Sequence, residues 1–186
     1  NFPDSFIACI IPSSCYPVLK GNPNLDEIII FDEKDRHSGI FGKLSFIRYL
    51  KRRKFETVFL LHRSFTRALI CRIAGIPQRI GYYTKKRHFI LTKPIIPPKT
   101  DTVHRIDYYL NIIEQAGLKV EDRFLDFFIS EGDAKNADEL LQKKQIKKDD
   151  FLVAINPGGD RLSKRWMKEY WAIVSDKLIR DFGAKV

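Results

Sequence analysis

Short apolar runs separated by stretches of helical length recur along this chain, and that alternation limits what it can fold into. Ser5 to Ile11, Glu27 to Phe31, Phe55 to Leu61 and Arg79 to Tyr82 each read as a buried strand. A short helix from Pro12 toward Leu19, a helix over about Lys43 to Arg53 and another over Phe65 to Ala74 lie between them. Strands joined by connections of helical length are not hairpin partners. They run parallel, with helices packed on the sheet faces. Gly21 to Asn24 punctuates as a turn, Asp32 to Gly42 as a polar loop, and Gly75 with Pro77 closes the third helix.

Beyond residue 100, Asp101 reads as the N-cap of a helix that runs to Ala116 and stops at Gly117. In that helix Val103, Ile106, Leu110 and Ile113 form the apolar stripe, which puts His104 on the opposite face with Tyr108 and Asn111. Phe124 to Ile129 reads as a further strand and Ala134 to Lys144 as a helix. Near 150 the pattern restarts. Phe151 to Ile155 reads as a buried strand and Asn156-Pro157-Gly158-Gly159 as a tight turn. Met167 to Phe182 is a helix striped by Trp171, Val174, Leu178 and Phe182. The predicted fold class is α/β: a first domain over 1–130, a connector over 131–150, and the opening βα unit of a second domain over 151–186.

Some classes fall away early. No uninterrupted apolar run, Ile28 to Phe31 and Val58 to Leu61 included, approaches the ~20 residues of a membrane-spanning helix. Cys9, Cys15 and Cys71 form no CxxC and no zinc spacing, which favours reduced thiols and no metal site. The chain starts at Asn1 rather than Met, and Gly183 to Val186 resembles a helix stop followed by a strand start. It therefore reads as a piece cut at both ends.

Charge is distributed unevenly. The chain carries +10, yet residues 40–110 hold sixteen Lys and Arg against three acids, a net +13, and the remainder is −3. Lys85-Lys86-Arg87 follows a strand, where loops often carry function. So one-sided a region favours an anionic partner: nucleic acid, an anionic membrane surface or a phosphorylated substrate. Neither a reading helix nor an RNP-type aromatic strand is present to support nucleic acid.

The glycine turn has chemistry of its own. In an open α/β sheet it would lie at the carboxyl end of a strand, where ligands bind. Gly158 and Gly159 let backbone N–H groups approach an anion, and Lys164 in Ser163-Lys164-Arg165-Trp166 can neutralise a phosphate beside a helix N-terminus. No glycine precedes Lys164 and no Ser or Thr follows it, so this is not a P-loop. Alone it reads equally as a phosphate cradle or as an ordinary turn with a surface lysine. His62, beside Arg63 and Ser64 at the end of the third strand, also holds a carboxyl-end position.

Several pieces then coincide in order. They are Asn24-Leu25-Asp26-Glu27-Ile28-Ile29, Ser64 to Gly75, Pro77-Gln78-Arg79-Ile80-Gly81-Tyr82, Val103-His104-Arg105, and Asn156-Pro157-Gly158-Gly159 with Ser163-Lys164-Arg165-Trp166. Together they resemble the ADP-heptose:lipopolysaccharide heptosyltransferases, glycosyltransferase family nine. The resemblance implies a GT-B architecture of two Rossmann-like domains, an acceptor-binding first domain and a nucleotide-sugar-binding second. The reaction implied is inverting and metal-free, with no cofactor, from a donor such as ADP-heptose to an anionic lipopolysaccharide-core acceptor. Lys164, with Gly158, Gly159 and Ser163, is the implied diphosphate contact. Arg63, Arg67, Lys86, Arg87 and His104 are the implied acceptor contacts. The family's first strand and the Gly-Asp turn with its presumed catalytic Asp would precede Asn1, so residues 1–186 alone are expected to be inactive. A cytoplasmic location, with peripheral contact at the inner membrane face, follows from the same resemblance. The competing readings are a GT-B sugar-nucleotide epimerase, against which the +13 region argues, and a non-enzymatic basic domain for nucleic acid or anionic lipid headgroups.

Overall fold

The computed structural model describes residues 4–99, 103–159 and 161–186. The chain divides into two units, Asn1–Phe128 and Ile129–Val186.

In the first unit β1 (Ala8–Ile11) pairs in parallel with β2 (Glu27–Ile30), Cys9 opposite Ile28 and Ile10 opposite Ile29. A 3-10 turn and the one-turn α1 (Tyr16–Leu19) connect them. The long α2 (Gly39–Arg53) follows. A second parallel sheet then runs in the order β3 (Thr57–Leu60), β4 (Gln78–Tyr82), β5 (Lys93–Ile95). Between β3 and β4 lies α3 (Phe65–Ile73), and after β5 comes α4 (Arg105–Gln115). Every strand pair among the described residues is parallel; helices make the crossovers from β1 to β2 and from β3 to β4, and a run of turns over 83–92 makes the one from β4 to β5.

Two apolar clusters fix these elements. Ile29 and Phe31 pack with Phe46, Ile47 and Leu50 of α2, Leu60 of β3, and Ala68, Ile70 and Cys71 of α3. Ile80 and Tyr82 of β4 and Ile95 of β5 pack with Tyr108 and Ile112 of α4. The alternation along β4 assigns one face of the sheet to α4. Burial pushes the Cys71 thiol up to about 11. Helix ends follow local chemistry. Ser64 Oγ accepts from the Arg67 N–H to start α3. Gly75, at φ +82, ends it by letting the Ile76 N–H reach back to the Cys71 carbonyl.

Several expectations change. α2 begins at Gly39, four residues before the predicted start, because Ile40 and Phe41 face solvent and add nothing to an amphipathic pattern. β5 was not expected. α4 starts at Arg105 with His104 as its N-cap, and Asp101 lies outside the described residues. Its buried positions are Tyr108 and Ile112, not the stripe drawn through Ile106 and Leu110: it is Tyr108 and Ile112 that pack with Ile80, Tyr82 and Ile95. Phe124 to Ile129 is not a strand: Phe124, Leu125, Phe127 and Ile129 are exposed. Arg123 pins the start of that segment to Asp107 and Glu114 of α4.

The second unit contains α5 (Glu131–Lys143), capped by Ser130, and α6 (Lys168–Phe182). The strand expected over Phe151 to Ile155 reduces to one parallel bridge, Leu152 to Lys185, with Phe151 and Leu152 exposed. A strand requires a run of paired residues, and here one pair forms. The predicted connector 131–150 falls within this unit.

Candidate functional site

In the first unit, four of the five sequence-nominated acceptor residues lie about the carboxyl ends of β3 and β4. His62 and Arg63 follow β3, and a turn over Thr84 to His88 follows β4. That turn closes when the N–H groups of Arg87 and His88 both donate to the Thr84 carbonyl, each at 3.1 Å. Its geometry separates the three consecutive cations. Lys85 and Lys86 face solvent, whereas Arg87 is completely buried.

Arg87 binds backbone. Its Nε and Nη2 donate to the Tyr82 carbonyl at 3.0 and 2.7 Å, and its Nη1 donates to the His62 carbonyl at 2.6 Å. One guanidinium thus fastens the end of β4 to the end of β3. Burial, and secondarily the charge of Arg63, push it below its ordinary value. This corrects the expectation for Arg87: with no exposed surface it has no face to offer an acceptor. Arg67 also changes role. Its Nε and Nη2 reach Glu33 Oε2 at 3.1 and 2.8 Å, so its charge is met within the protein. His104 acts as a helix cap, Nδ1 accepting from the Ile106 N–H at 3.3 Å. Arg63 and Lys86 therefore stand exposed at this end of the sheet.

A polar network that sequence reasoning missed underlies them. Tyr82 Oη donates to the Tyr108 carbonyl and accepts from Asn111 Nδ2 at 3.2 Å. Tyr82 and Tyr108 rings meet at 4.5 Å between centroids. A Tyr in a strand facing a Tyr-x-x-Asn helix was the available signal. Ser64 donates its N–H to His62 Nδ1 at 3.1 Å, fixing that imidazole against its own turn.

In the second unit the glycine turn is open. Gly158 donates to Asn156 Oδ1 at 3.4 Å, an Asx-type turn. A Cβ at Gly158 would meet only that oxygen at 3.5 Å, and one at Gly159 nothing within 3.8 Å. Neither glycine is required by a positive φ. Leu162–Lys164 forms a 3-10 turn, so Ser163 and Lys164 lie in that turn rather than at the N-terminus of α6, which begins at Lys168. Gly158, Gly159, Ser163 and Lys164 are all exposed. Beside them Trp166 stacks on Tyr170 at 5.4 Å and meets Trp171 edge-on at 5.1 Å. Among the described residues no three His, Cys, Asp or Glu side chains gather as a metal-binding group, and no helix is long and apolar enough to cross a membrane.

Known proteins give this arrangement a context. The chain is 22% identical to lipopolysaccharide heptosyltransferase 2 of Escherichia coli over its whole length, covering 55% of that protein. A solved family 9 glycosyl transferase from Veillonella parvula superposes with a TM-score of 0.88 at 28% identity, over 98% of this chain and 53% of that one. The E. coli ADP-heptose lps heptosyltransferase II superposes at 0.72 with 20% identity, over 96% of this chain and 54% of its own, and supports the fold. The chain thus spans about half the length of the relatives it matches, and its α/β fold with parallel sheets is of the GT-B type. The profile of Glycosyltransferase family 9 (heptosyltransferase) matches residues 43–186, more than half of the chain, and the chain belongs to that family.

Proposed function

We propose that this chain serves inverting transfer of a heptose or related sugar, from a nucleotide-diphosphate donor such as ADP-heptose to an anionic lipopolysaccharide-core acceptor. The observation that carries the acceptor side is the pair Arg63 and Arg87. A buried guanidinium bonded to carbonyls lies beside an exposed one, so the carboxyl ends of β3 and β4 carry positive charge with no acid bonded to this pair among the described residues. Arg63 and Lys86 contact the acceptor, residues 1–130 form its domain, and 131–150 connect to a donor-binding region from 151.

On the donor side, Gly158 and Gly159 lack side chains that their own backbone does not forbid, which leaves the Gly159 main chain approachable by a diphosphate while the Gly158 N–H bonds Asn156. Lys164, with Ser163 beside it, meets that diphosphate. In the reaction a general base takes the acceptor hydroxyl proton. The oxygen then bonds to the anomeric carbon as the carbon–oxygen bond to the diphosphate breaks, with inversion. Negative charge grows on the leaving group, so Lys164 stabilises the transition state more than the ground state.

Steady-state kinetics of the full-length enzyme, with donor and acceptor varied separately, test this. Lys164→Ala lowers kcat on the order of 10²–10³-fold with an unchanged melting curve. Arg63→Glu with Lys86→Glu raises acceptor KM and leaves donor KM alone. An unaltered kcat in the first variant, or a donor effect in the second, would contradict the corresponding assignment. Turnover of the sugar nucleotide without transfer would point to an epimerase.

A further inference from the structure

The turn His62-Arg63-Ser64, between β3 and α3, is fastened twice and still presents two donors that nothing in the chain satisfies. Arg87 Nη1 donates to the His62 carbonyl at 2.6 Å, which holds the backbone. The Ser64 N–H donates to His62 Nδ1 at 3.1 Å, which holds the ring, and Ser64 Oγ caps α3. A backbone N–H can only donate, so Nδ1 carries no proton and the neutral ring keeps its proton on Nε2. The two ring nitrogens face in nearly opposite directions. A ring that turns Nδ1 onto its own backbone therefore turns Nε2–H away from it. His62 is exposed, and its Nε2 has no partner among the described residues. Arg63 is exposed as well and makes no hydrogen bond or ion pair among them. Burial first, and then the Arg63 charge, lower the Arg87 pKa, which keeps Arg63 close to the same strand ends.

We propose that His62 is a specificity-determining residue of the acceptor site, its Nε2–H donating to a phosphate oxygen of the acceptor beside Arg63. The assignment rests on the acceptor reading and adds to it the chemical group that is recognised. Two donors without acceptors, one of them charged, select a ligand group that is negative and only accepts. A sugar hydroxyl would meet Nε2–H and leave the Arg63 charge unanswered. A carboxylate has two oxygens, and a guanidinium fork engages both. A phosphate monoester has three terminal oxygens, so the fork takes two and the imidazole the third. The imidazole adds this donor without adding charge, next to two guanidinium groups that already repel each other. Its bond to Ser64 fixes the ring before the ligand arrives, so little rotamer freedom is lost on binding.

The test is steady-state kinetics of the full-length enzyme with deacylated lipopolysaccharide core as the varied acceptor, before and after phosphatase treatment. His62→Ala is expected to raise the KM for the phosphorylated core about tenfold or more and to leave the donor KM alone. On the dephosphorylated core the same variant should match wild type. Two further substitutions separate the two ring nitrogens. His62→Gln places an amide N–H near the position of Nε2 and should recover most of the loss. His62→Asn places an oxygen near Nδ1, keeps the bond from Ser64 and should recover none. Recovery by Asn and not by Gln would mean that the imidazole only closes its own turn, and the proposal falls. It falls equally if the His62→Ala penalty survives phosphatase treatment, or if donor KM rises as much. Ring-nitrogen NMR of the wild type gives a readout apart from turnover. The Nε2–H tautomer is expected, with its signal moved by inorganic phosphate in wild type and not in Arg63→Glu. An Nδ1–H tautomer, or a signal that phosphate does not move, overturns the assignment. Melting curves verify that each variant folds. Arg63→Glu with Lys86→Glu, measured alongside, separates the two readings. If that pair raises acceptor KM and the His62 variants do not, the acceptor surface stands and His62 is no part of it; if neither does, both readings fall.

Discussion

Arg87 is a cation whose place is held entirely by carbonyl oxygens. In the sequence it is the third member of a basic run, indistinguishable from Lys85 and Lys86, and the resemblance implies an acceptor contact for it as for Lys86. Only the fold of the turn, which directs one of three neighbours inward, separates them. Arg87→Met keeps much of the packing but removes the donors to Tyr82 and His62. It should destabilise the protein by about 1.5–3 kcal/mol or more in thermal or urea unfolding, with Arg87→Lys intermediate because a point charge does not replace a fork. A wild-type melting curve for the Met variant would show that the two strand ends do not depend on it. His37 offers a second test. It is buried against Phe31 and Phe46, and its Nδ1 accepts the Asp32 N–H at 3.1 Å. Burial first, and then Arg36, lower its pKa from the ordinary 6.5, with Asp32 opposing. The unfolded chain therefore takes up the proton more readily. The contribution of this histidine is fully present above pH 6.5 and is lost as pH falls through that value toward the lowered one. Stability measured against pH should decline on that acidic side, and His37→Phe should flatten the decline.

Elements defined by pairing and elements defined by composition parted ways in this chain. β1 to β4 were legible because apolar runs of strand length met turn residues, and their neighbours exist to pair with them. Phe124 to Ile129 and Phe151 to Ile155 have equally apolar runs, yet the first has no strand partner among the described residues and the second a single bridge. β5 was hidden because Lys93-Pro94-Ile95 is three residues long and contains a proline, which suits an edge. The close approach of β3 and β4 is visible at Gly81. A Cβ there would lie 2.9 Å from the Leu60 carbonyl oxygen and 3.3 Å from Arg87 Nη2. Gly81→Ala should cost about 1–3 kcal/mol by overpacking, read as a lower urea midpoint. Gly158→Ala, where the space is open, should stay within about 0.5 kcal/mol. Equal effects of the two would refute the packing argument.

At the scale of the whole molecule, the charge asymmetry could be anticipated from sequence, because it is a sum over many residues and tolerates local errors. The particular cations of the candidate site could not, since pairing with Glu33 or burial under a turn depends on segments far apart in the chain. The same burial has a practical meaning for Cys71. A thiol shielded in the core and pushed up to about 11 supplies almost no thiolate at neutral pH, while Cys15 is exposed. A maleimide or iodoacetamide reagent should therefore modify Cys15 quickly and Cys71 only during excursions in which α3 lifts from its neighbours. Mass spectrometry of the two peptides over time turns Cys71 into a clock for that opening. If it labels as fast as Cys15, α3 is not held as its packing implies; if it labels slowly, and faster in Gly81→Ala, the clock reports how tightly the β3–β4 seam restrains the helix between them.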